Sequence, residues 1–406
     1  MKVLIVGSGG REHALAWKIA QSPGLAELHA APGNPGIAAL GRCHPIRADD
    51  VEGLLGLCRH HEIDLVVVGP EAPLVAGMAD ELRRACTAVF GPSKAAARIE
   101  GSKLFAKDVL AAAGVPTAAA LHEPRAPCVI KADGLAAGKG VFVCHTQTEA
   151  DSAFERAHSL GDAVVVEELL EGEEVSLFAL CDGHDILPLA PAQDFKRLED
   201  GDKGPNTGGM GSYSPVPFVG EDDVDELIYL VHRPVLAELA RRGSPFVGLL
   251  YAGLMLTDTG PRVLEFNCRF GDPETQALLP RLEGDFLEAL AAAARGELAG
   301  LELVAGPTAA VAVVLAAGGY PETPEPGVPI GGVEAAGASG ALVFHAGTAL
   351  RDGELVSAGG RVLNVVGTGE SVSEAREQAY AAIEQIDFPG AHFRSDVAAK
   401  AVSVPG

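Results

Sequence analysis

Short apolar runs alternate with helix-like segments along the first hundred residues. Strands are predicted at 3–6, 28–31, 65–68 and 89–90, and helices between them at about 12–21, 51–60 and 76–84. Strands that alternate with helices form parallel sheets covered by helices on both faces. The pattern therefore predicts a Rossmann-like parallel-sheet N-terminal domain over residues 1–99.

The pattern changes after Pro116. Short strands joined by glycine loops are predicted at 129–132, 140–144, 163–168 and 174–180, with one helix near 148–158. We interpret 117–180 as a small antiparallel lid within a core that runs from 100 to 305. Strands at 309–315, 342–345 and 361–366, followed by a helix at 373–386, indicate a small α+β C-terminal domain over 306–406. The expected fold class is α/β and α+β, in several domains.

Composition narrows the class of protein. The chain has 406 residues, more than the roughly 250–300 at which a single core stops growing. Its net charge of −24 argues against a nucleic-acid partner, because phosphate backbones require clustered Lys and Arg. The seven cysteines form no Cys-x-x-Cys pair, as in a reducing cytosol. No apolar run approaches the about 18 residues of a membrane span, so we expect a soluble, cytoplasmic protein without a membrane partner.

The first glycine-rich motif follows the first predicted strand, where residues 7–13 read Gly-Ser-Gly-Gly-Arg-Glu-His. Glu12 stands where a dinucleotide-binding fingerprint has its third glycine, and the second strand is not followed by an acid for a ribose diol. Backbone N–H groups at a helix start bind anions, so a phosphate ester is predicted at Gly9 and Gly10, with Arg11 as its partner. A simple tight turn and an NAD site are the alternatives.

A second glycine loop spans residues 131–140, Lys-Ala-Asp-Gly-Leu-Ala-Ala-Gly-Lys-Gly. It is one residue too short for a P-loop, and Gly140 replaces the Ser or Thr that would hold magnesium. A lysine at a strand end, followed by a flexible loop and a second strand, could close over a triphosphate. A hairpin with solvated lysines is the alternative.

An acidic stretch follows the strand predicted at 163–168. At a hinge between two lobes, a carboxylate such as Glu174 could accept hydrogen bonds from ribose hydroxyls. A solvated acidic turn is the alternative.

The segment 265–274 reads Glu-Phe-Asn-Cys-Arg-Phe-Gly-Asp-Pro-Glu. On a strand, Glu265 and Asn267 point to the same side. Two hard oxygen ligands beside Arg269 suit a Mg²⁺ ion shared with substrate phosphates. A buried strand with incidental polar residues is the alternative.

A further loop runs from Asp194 through Gly208 and Gly209 and could cradle a small zwitterion or a second phosphate. It could equally be only a mobile loop.

Together with residues 69–74, 101–103, 316–321 and 345–348, these motifs closely resemble the phosphoribosylamine–glycine ligase family of the ATP-grasp superfamily, in order and nearly end to end. The resemblance implies a two-lobed ATP-grasp core that uses ATP with Mg²⁺ or Mn²⁺. It implies that glycine is activated as glycyl phosphate and joined to 5-phosphoribosylamine, giving glycinamide ribonucleotide, ADP and phosphate in de novo purine biosynthesis. A monomer is expected, with a dimer as the alternative.

The resemblance also assigns expected roles to residues. Those assigned to ATP are Lys103, Lys131, Gly138, Glu167, Glu168, Leu170 and Glu174. Those assigned to metal are Glu265 and Asn267. Asp194 and Arg269 would orient glycine, and with Lys131 they form the expected catalytic set. The remaining substrate contacts are expected from Gly9, Gly10, Arg11, Glu71, Gly208 and Gly209.

The chain departs from the family at 117–128, which is shorter than usual, so the start of the lid is trimmed. Rival interpretations are another ATP-dependent carboxylate–amine ligase, a carboxylase of the purine pathway, and a nucleotide-binding regulatory protein without turnover.

Overall fold

The structure is a computed structural model that describes residues 1–85, 87–135, 140–161 and 163–402. The strands of its N-terminal region are β1 (Lys2–Gly7), β2 (Glu27–Pro32), β3 (Arg42–Cys43), β4 (Leu65–Val68) and β5 (Ala88–Phe90). The helices are α1 (Gly10–Ile19), α2 (Pro35–Ala38), α3 (Val51–His61), α4 (Glu71–Ala76), α5 (Met78–Arg84), α6 (Lys94–Gly101) and α7 (Lys103–Ala113).

The N-terminal strands form one parallel sheet in the order β3-β2-β1-β4-β5, which confirms the predicted sheet. The apolar run of β1 is buried on both faces, as parallel strands between helix layers require. The helix predicted at 76–84 differs, because the chain is already helical from Glu71 and is interrupted at Gly77. Gly77 has a φ of 102°, a left-handed conformation that glycine adopts without steric cost.

The lid consists of β6 (Cys128–Ala132), β7 (Val141–Cys144), α8 (Gln147–Leu160) and β8 (Val164–Glu168), with the antiparallel order β7-β6-β8. Helix α8 buries Ala150, Ala153 and Ala157 in the small core of this sheet. The short segment 117–128 runs beside β8, where Leu121 N donates to Val166 O at 2.8 Å. It also reaches the neighbouring sheet through a bridge between Thr117 and Val263. The lid is therefore tied to its neighbour at its first residues.

The central strands are β9 (Glu173–Asp182), β10 (Ile186–Pro188), β11 (Gln193–Asp194), β12 (Arg197–Glu199), β13 (Lys203–Asn206), β14 (Gly211–Ser214), β15 (Val247–Thr257), β16 (Gly260–Asn267), β17 (Leu282–Glu283) and β18 (Val304–Ala305). The central helices are α9 (Glu221–Leu227), α10 (Arg233–Arg241), α11 (Glu274–Leu278) and α12 (Phe286–Arg295), with a π-helical turn at Ile228–His232 and a 3₁₀ turn at Leu279–Arg281.

The main central sheet has the order β10-β9-β15-β16. The prediction that the strand at 174–180 belongs to the lid is wrong, because β9 pairs with β15 along its whole length. The residues of β9 from Val175 onward are buried, which requires cover on both faces. The apolar pattern identifies such a strand but does not identify the sheet that receives it.

The C-terminal region contains β19 (Ala309–Ala316), α13 (Val333–Ala338), β20 (Leu342–His345), β21 (Thr348–Arg351), β22 (Glu354–Ser357), β23 (Arg361–Gly369), α14 (Val372–Ile383) and α15 (Ala399–Val402). Its main sheet has the order β11-β14-β19-β23-β20 and thus includes two strands from the central region. The loop between β11 and β14 is thereby held against the C-terminal region. Among the described residues, no helix is long and apolar enough to cross a bilayer.

Candidate functional site

One cavity of about 1000 Å³ brings together candidate residues from the N-terminal region, the lid and the central sheet. The candidates that line it are Arg11, Glu71, Lys103, Lys131, Glu167, Glu168, Leu170, Glu174, Asp194, Gly208, Glu265, Asn267 and Arg269. Of the described candidates, Gly9, Gly10 and Gly209 do not line it. Gly138 lies outside the described residues.

Glu167 is buried on the cavity wall between two lysines. Its Oε2 lies 2.8 Å from Lys131 Nζ, and its Oε1 lies 2.7 Å from Lys107 Nζ. Lys131 also donates to the carbonyl of Leu264 at 2.9 Å, which ties the lid strand β6 to β16. Both carboxylate oxygens of Glu167 are therefore engaged by lysines, although the family resemblance assigns this side chain to the adenosine pocket.

Sequence reasoning missed Lys107. Burial lowers the pKa of its ammonium, and the nearby Glu167 acts in the opposite direction. A signal was present, because Lys107 lies four residues after Lys103 on α7, and side chains at that spacing share one face of a helix.

Lys103 stands at the start of α7, where it contacts the second glycine loop. Its Nζ donates to the carbonyl of Gly134 at 3.0 Å. Its backbone N–H donates to Asp133 Oδ1 at 2.6 Å, so this carboxylate caps the helix. Burial lowers the pKa of Lys103, and the charge of Glu265 partly offsets that effect. The cap holds Lys103 and the loop together at the cavity lining.

Glu265 and Asn267 reach the cavity from β16, opposite Gly253 and Tyr251 of β15. The alternate residues Phe266 and Cys268 belong to the apolar core. Burial alone would raise the pKa of Glu265, but Lys196, Lys131 and Lys103 outweigh it and lower the pKa. The carboxylate is therefore ionised. Together with the amide of Asn267, it offers hard oxygen ligands of the kind that divalent cations prefer.

Lys196 is a second residue that sequence reasoning missed, although it lies two positions after Asp194. Its ammonium is paired with Glu174, and its Nζ lies 3.8 Å from Glu265 Oε1. Burial would lower the pKa of Lys196, yet the surrounding carboxylates, Asp194 first, raise it well above its usual value. Lys196 therefore stays charged, and the Glu174 carboxylate expected to meet ribose already has a cationic partner.

Asp194 lies in the same group of charges. Burial raises the pKa of its carboxyl well above the usual value, only partly offset by Lys196. Glu274 adds to the rise by like-charge repulsion.

Arg269 is held between two carboxylates, one at the start of α4 and one near the end of α6. Its Nε lies 3.2 Å from Glu71 Oε2, and its Nη2 lies 3.1 Å from Glu100 Oε1. Burial would lower the pKa of the guanidinium, but these two acids raise it. Glu100 also accepts from the backbone N–H of Cys268 at 2.8 Å. Sequence reasoning missed Glu100, even though it directly precedes the motif at 101–103.

The glycine loop at the start of α1 differs in detail from the expectation. The backbone N–H of Gly9, predicted to meet a phosphate, donates to Glu12 Oε2 at 2.5 Å. Arg11 Nε lies 2.6 Å from Glu12 Oε1. A Cβ at Gly7 would lie 2.6 Å from the Glu12 side chain, and a Cβ at Gly69 would lie 2.0 Å from it. These glycines therefore leave room for Glu12, which neutralises Arg11 within the loop.

The loop that carries Gly208 and Gly209 is fastened to the C-terminal region. Arg361 donates to the carbonyl of Gly208 and, at 2.7 Å, to the carbonyl of Asp272. Its Nη2 lies 3.1 Å from Asp272 Oδ2. Sequence reasoning missed Arg361, which no local motif marks.

Three family models match the chain in succession. They describe the N domain of phosphoribosylglycinamide synthetase over residues 1–100, its ATP-grasp (A) domain over 101–275 and its C domain over 310–400.

Relatives of known function match this chain over nearly its full length. The chain is 51% identical to phosphoribosylamine–glycine ligase of Mesorhizobium japonicum and 53% identical to that of Streptomyces coelicolor, with 99% of each chain covered. A crystal structure of phosphoribosylamine–glycine ligase from Thermotoga maritima superimposes with a TM-score of 0.84 at 37% identity, covering 98% of this chain and 100% of that one.

The fold and the site define a carbon–nitrogen ligase of the ATP-grasp superfamily, and the ATP-grasp domain implies the use of ATP. The chain belongs to the phosphoribosylamine–glycine ligase family. The resemblance stated from the sequence is thus confirmed, and a regulatory protein without turnover is set aside.

Proposed function

We propose that this chain joins glycine to 5-phosphoribosylamine at the expense of ATP, giving glycinamide ribonucleotide, ADP and phosphate in de novo purine biosynthesis. The observation that carries the proposal is the meeting of Lys103, Lys131 and Glu265 in one cavity of a chain similar to such ligases over its whole length. The expected monomeric state and cytoplasmic location stay predictions.

ATP is proposed to lie between the lid and the central sheet. Lys103 and Lys131 supply positive charge where phosphate oxygens gain negative charge during transfer. The segment from Glu168 to Leu170 lines the cavity next to β8 and is the proposed contact for adenosine. Since Glu167 and Glu174 already pair with lysines, they act on ATP chiefly by holding those lysines in place.

Glu265 and Asn267 are the residues that would hold a divalent cation, Mg²⁺ or Mn²⁺. The lowering of the pKa of Glu265 by the nearby lysines supports this assignment, because a metal ligand must be deprotonated. When bound, such an ion supplies charge neutralisation on the triphosphate.

Glycine is proposed to lie between Asp194 and Arg269. Burial disfavours the ionised form of Asp194, and the ammonium of glycine would compensate that cost as an opposite charge. The guanidinium of Arg269 lines the cavity and is held by two carboxylates and by the carbonyl of Phe270, and its remaining N–H groups are the proposed donors to the glycine carboxylate. Phosphoribosylamine is assigned to the neighbouring residues Arg11 and Glu71, beside the loop of Gly9 and Gly10.

The reaction proceeds in two transfers. A carboxylate oxygen of glycine bonds to the γ-phosphorus as the bond to the bridging oxygen of ADP breaks, which gives glycyl phosphate. The amine of phosphoribosylamine then attacks the carbonyl carbon, phosphate leaves, and the amine loses a proton. The chain contributes position, charge and exclusion of water, and no side chain becomes covalently attached.

Two measurements test this proposal. ADP release, coupled to a spectrophotometric readout, should require glycine and phosphoribosylamine together, with the unstable amine generated in place. Glycine labelled with ¹⁸O in its carboxylate should transfer one ¹⁸O to inorganic phosphate. ADP release with neither substrate would refute the ligase assignment, whereas unlabelled phosphate would refute glycyl phosphate alone.

A further inference from the structure

Three histidines meet in the N-terminal region, and none of them lines the cavity described above. One ring nitrogen from each of His29, His44 and His61 lies within 4.8 Å of the other two. Each comes from a different part of the fold, namely β2, the residue after β3, and the end of α3. We propose that these residues, here termed the histidine triad, form a binding site for a divalent transition-metal ion such as Zn²⁺.

The backbone brings the triad together without help from a ligand. His29 pairs with Arg42 in the parallel register of β2 and β3, and His44 follows two residues later on the same side. His61 ends α3, and its carbonyl accepts from Lys2 Nζ at 3.1 Å, which ties the helix end to the first residue of β1. All three positions are thus set by the sheet and by the helix that crosses it.

The distances suit ligation by imidazole. His29 Nδ1 lies 3.0 Å from His44 Nε2. Two nitrogens bound at about 2.0–2.1 Å to a tetrahedral zinc ion are roughly 3.3 Å apart, so the His29–His44 pair is close to the separation of two zinc ligands. A ring nitrogen of His61 lies within 4.8 Å of both. Glu27 Oε2 lies 3.3 Å from the other ring nitrogen of His29. Histidine ligands typically have such a carboxylate partner, which orients the ring and raises its basicity.

The charges around the triad also decide which ligand it would take. The positive charge of Arg42 opposes a cation, while the carboxylate of Glu27 favours it. Neutral imidazole ligands select zinc, nickel or copper rather than magnesium or calcium.

Access and coordination number complete the site. His29 is buried, whereas His44 and His61 are half-buried, so an ion could enter from their side. Three protein nitrogens leave a fourth position of a tetrahedral site for water. The alternative is that the histidines stack on one another without a metal ion, since the ring centroids of His29 and His44 are 5.2 Å apart and the rings are nearly parallel.

The test is calorimetric titration of the full-length protein, freed of metal with a chelator, with ZnCl₂ in the absence of ATP. One ion per chain is expected to bind. Substitutions His44→Gln and His61→Gln should each weaken binding at least about tenfold, and Glu27→Gln should weaken it by about 10–100-fold. The exposed His122, substituted as His122→Gln, is the matched control and should bind as the wild type does.

Two further measurements separate the alternatives. Glu265→Gln should retain the ion, since loss of binding in that variant would place the ion in the ATP cavity and overturn the proposal. X-ray absorption at the zinc edge of the wild type should show imidazole ligands, which requires no variant to fold. Absence of binding, equal binding by the His44 and His61 variants, or a spectrum without imidazole would each refute the site.

Discussion

Lys131 Nζ lies 2.8 Å from Glu167 Oε2, and this pair joins the antiparallel strands β6 and β8 of the lid on the wall of the proposed ATP cavity. Glu167 is only 3% exposed and also pairs with Lys107. Among the described ion pairs, Glu167 is the only carboxylate that Lys107 or Lys131 contacts. A buried charge that loses its partner is costly.

The substitution Glu167→Ala should therefore lower the free energy of unfolding by about 3–5 kcal/mol, because two partly buried ammonium groups lose their counterion. Chemical denaturation of the purified variant measures this directly. Glu171→Ala removes an exposed glutamate a few residues away and is the matched control. Equal midpoints for the two variants would contradict the structural role of Glu167.

Arg269→Lys should raise the KM for glycine about tenfold or more, because an ammonium cannot bridge Glu71 and Glu100 while also meeting a carboxylate. The KM for ATP should change little. Arg295→Lys is a suitable control, because Arg295 also pairs with two carboxylates but on the surface, away from the cavity. An unchanged glycine saturation curve would remove Arg269 from the glycine site.

Glu265→Gln should reduce product formation at least about 100-fold, because it removes the charged oxygen ligand while preserving shape. Binding of phosphoribosylamine should suffer less, since its proposed contacts are Glu71 and Arg11, and Glu265 pairs with neither of them. Steady-state assays over a range of Mg²⁺ and Mn²⁺ concentrations measure the effect, with Glu283→Gln as a control outside the cavity. Turnover by the wild-type enzyme without any divalent ion would remove Glu265 from a metal site.

Gly69→Ala should weaken phosphoribosylamine binding, because its new Cβ would lie 2.0 Å from Glu12 Oε1 and would displace that side chain from Gly9 and Arg11. The KM for phosphoribosylamine is expected to rise while that for ATP stays nearly constant. Gly56→Ala is the matched control, since a Cβ there meets nothing within 4 Å. A wild-type KM in Gly69→Ala would show that the Glu12 position does not matter for this substrate.

Stability should depend on pH through His232, which is completely buried and whose Nε2–H donates to the carbonyl of Leu250 at 3.1 Å. Burial lowers its pKa from 6.5 to about 4, so the unfolded chain takes up the proton first. The stability that the neutral, buried imidazole contributes is therefore fully present above pH 6.5 and declines as the pH falls toward 4. At pH 5 the loss is about 2 kcal/mol.

Denaturation at several pH values measures this slope. His232→Gln should flatten it between pH 6.5 and 5, whereas the exposed-site variant His122→Gln should retain the wild-type slope. His13 and His345 have pKa values lowered by burial to about 3 and about 4, so some slope remains in every variant. A slope in His232→Gln equal to that of wild type would refute the assignment.

The sequence by itself determined the features that depend on short-range periodicity. Alternation of apolar runs and helices predicted the parallel sheet of the N-terminal region, because both signals repeat within a few residues. The two-residue period of a strand placed Glu265 and Asn267 on one side of β16 for the same reason. The order of the glycine-rich motifs was sufficient to identify the family of the protein, and the comparisons confirm that family.

Only the tertiary structure decided which charges meet. Lys107 and Glu167 are far apart in sequence, as are Arg269 and Glu100 and the residues of the histidine triad, and nothing in the neighbouring residues marks them as partners. The same holds for β9, whose apolar run fits either sheet. Side-chain pairing over long separations depends on the path of the whole chain, so local patterns identify the chemical groups but the fold determines their partners.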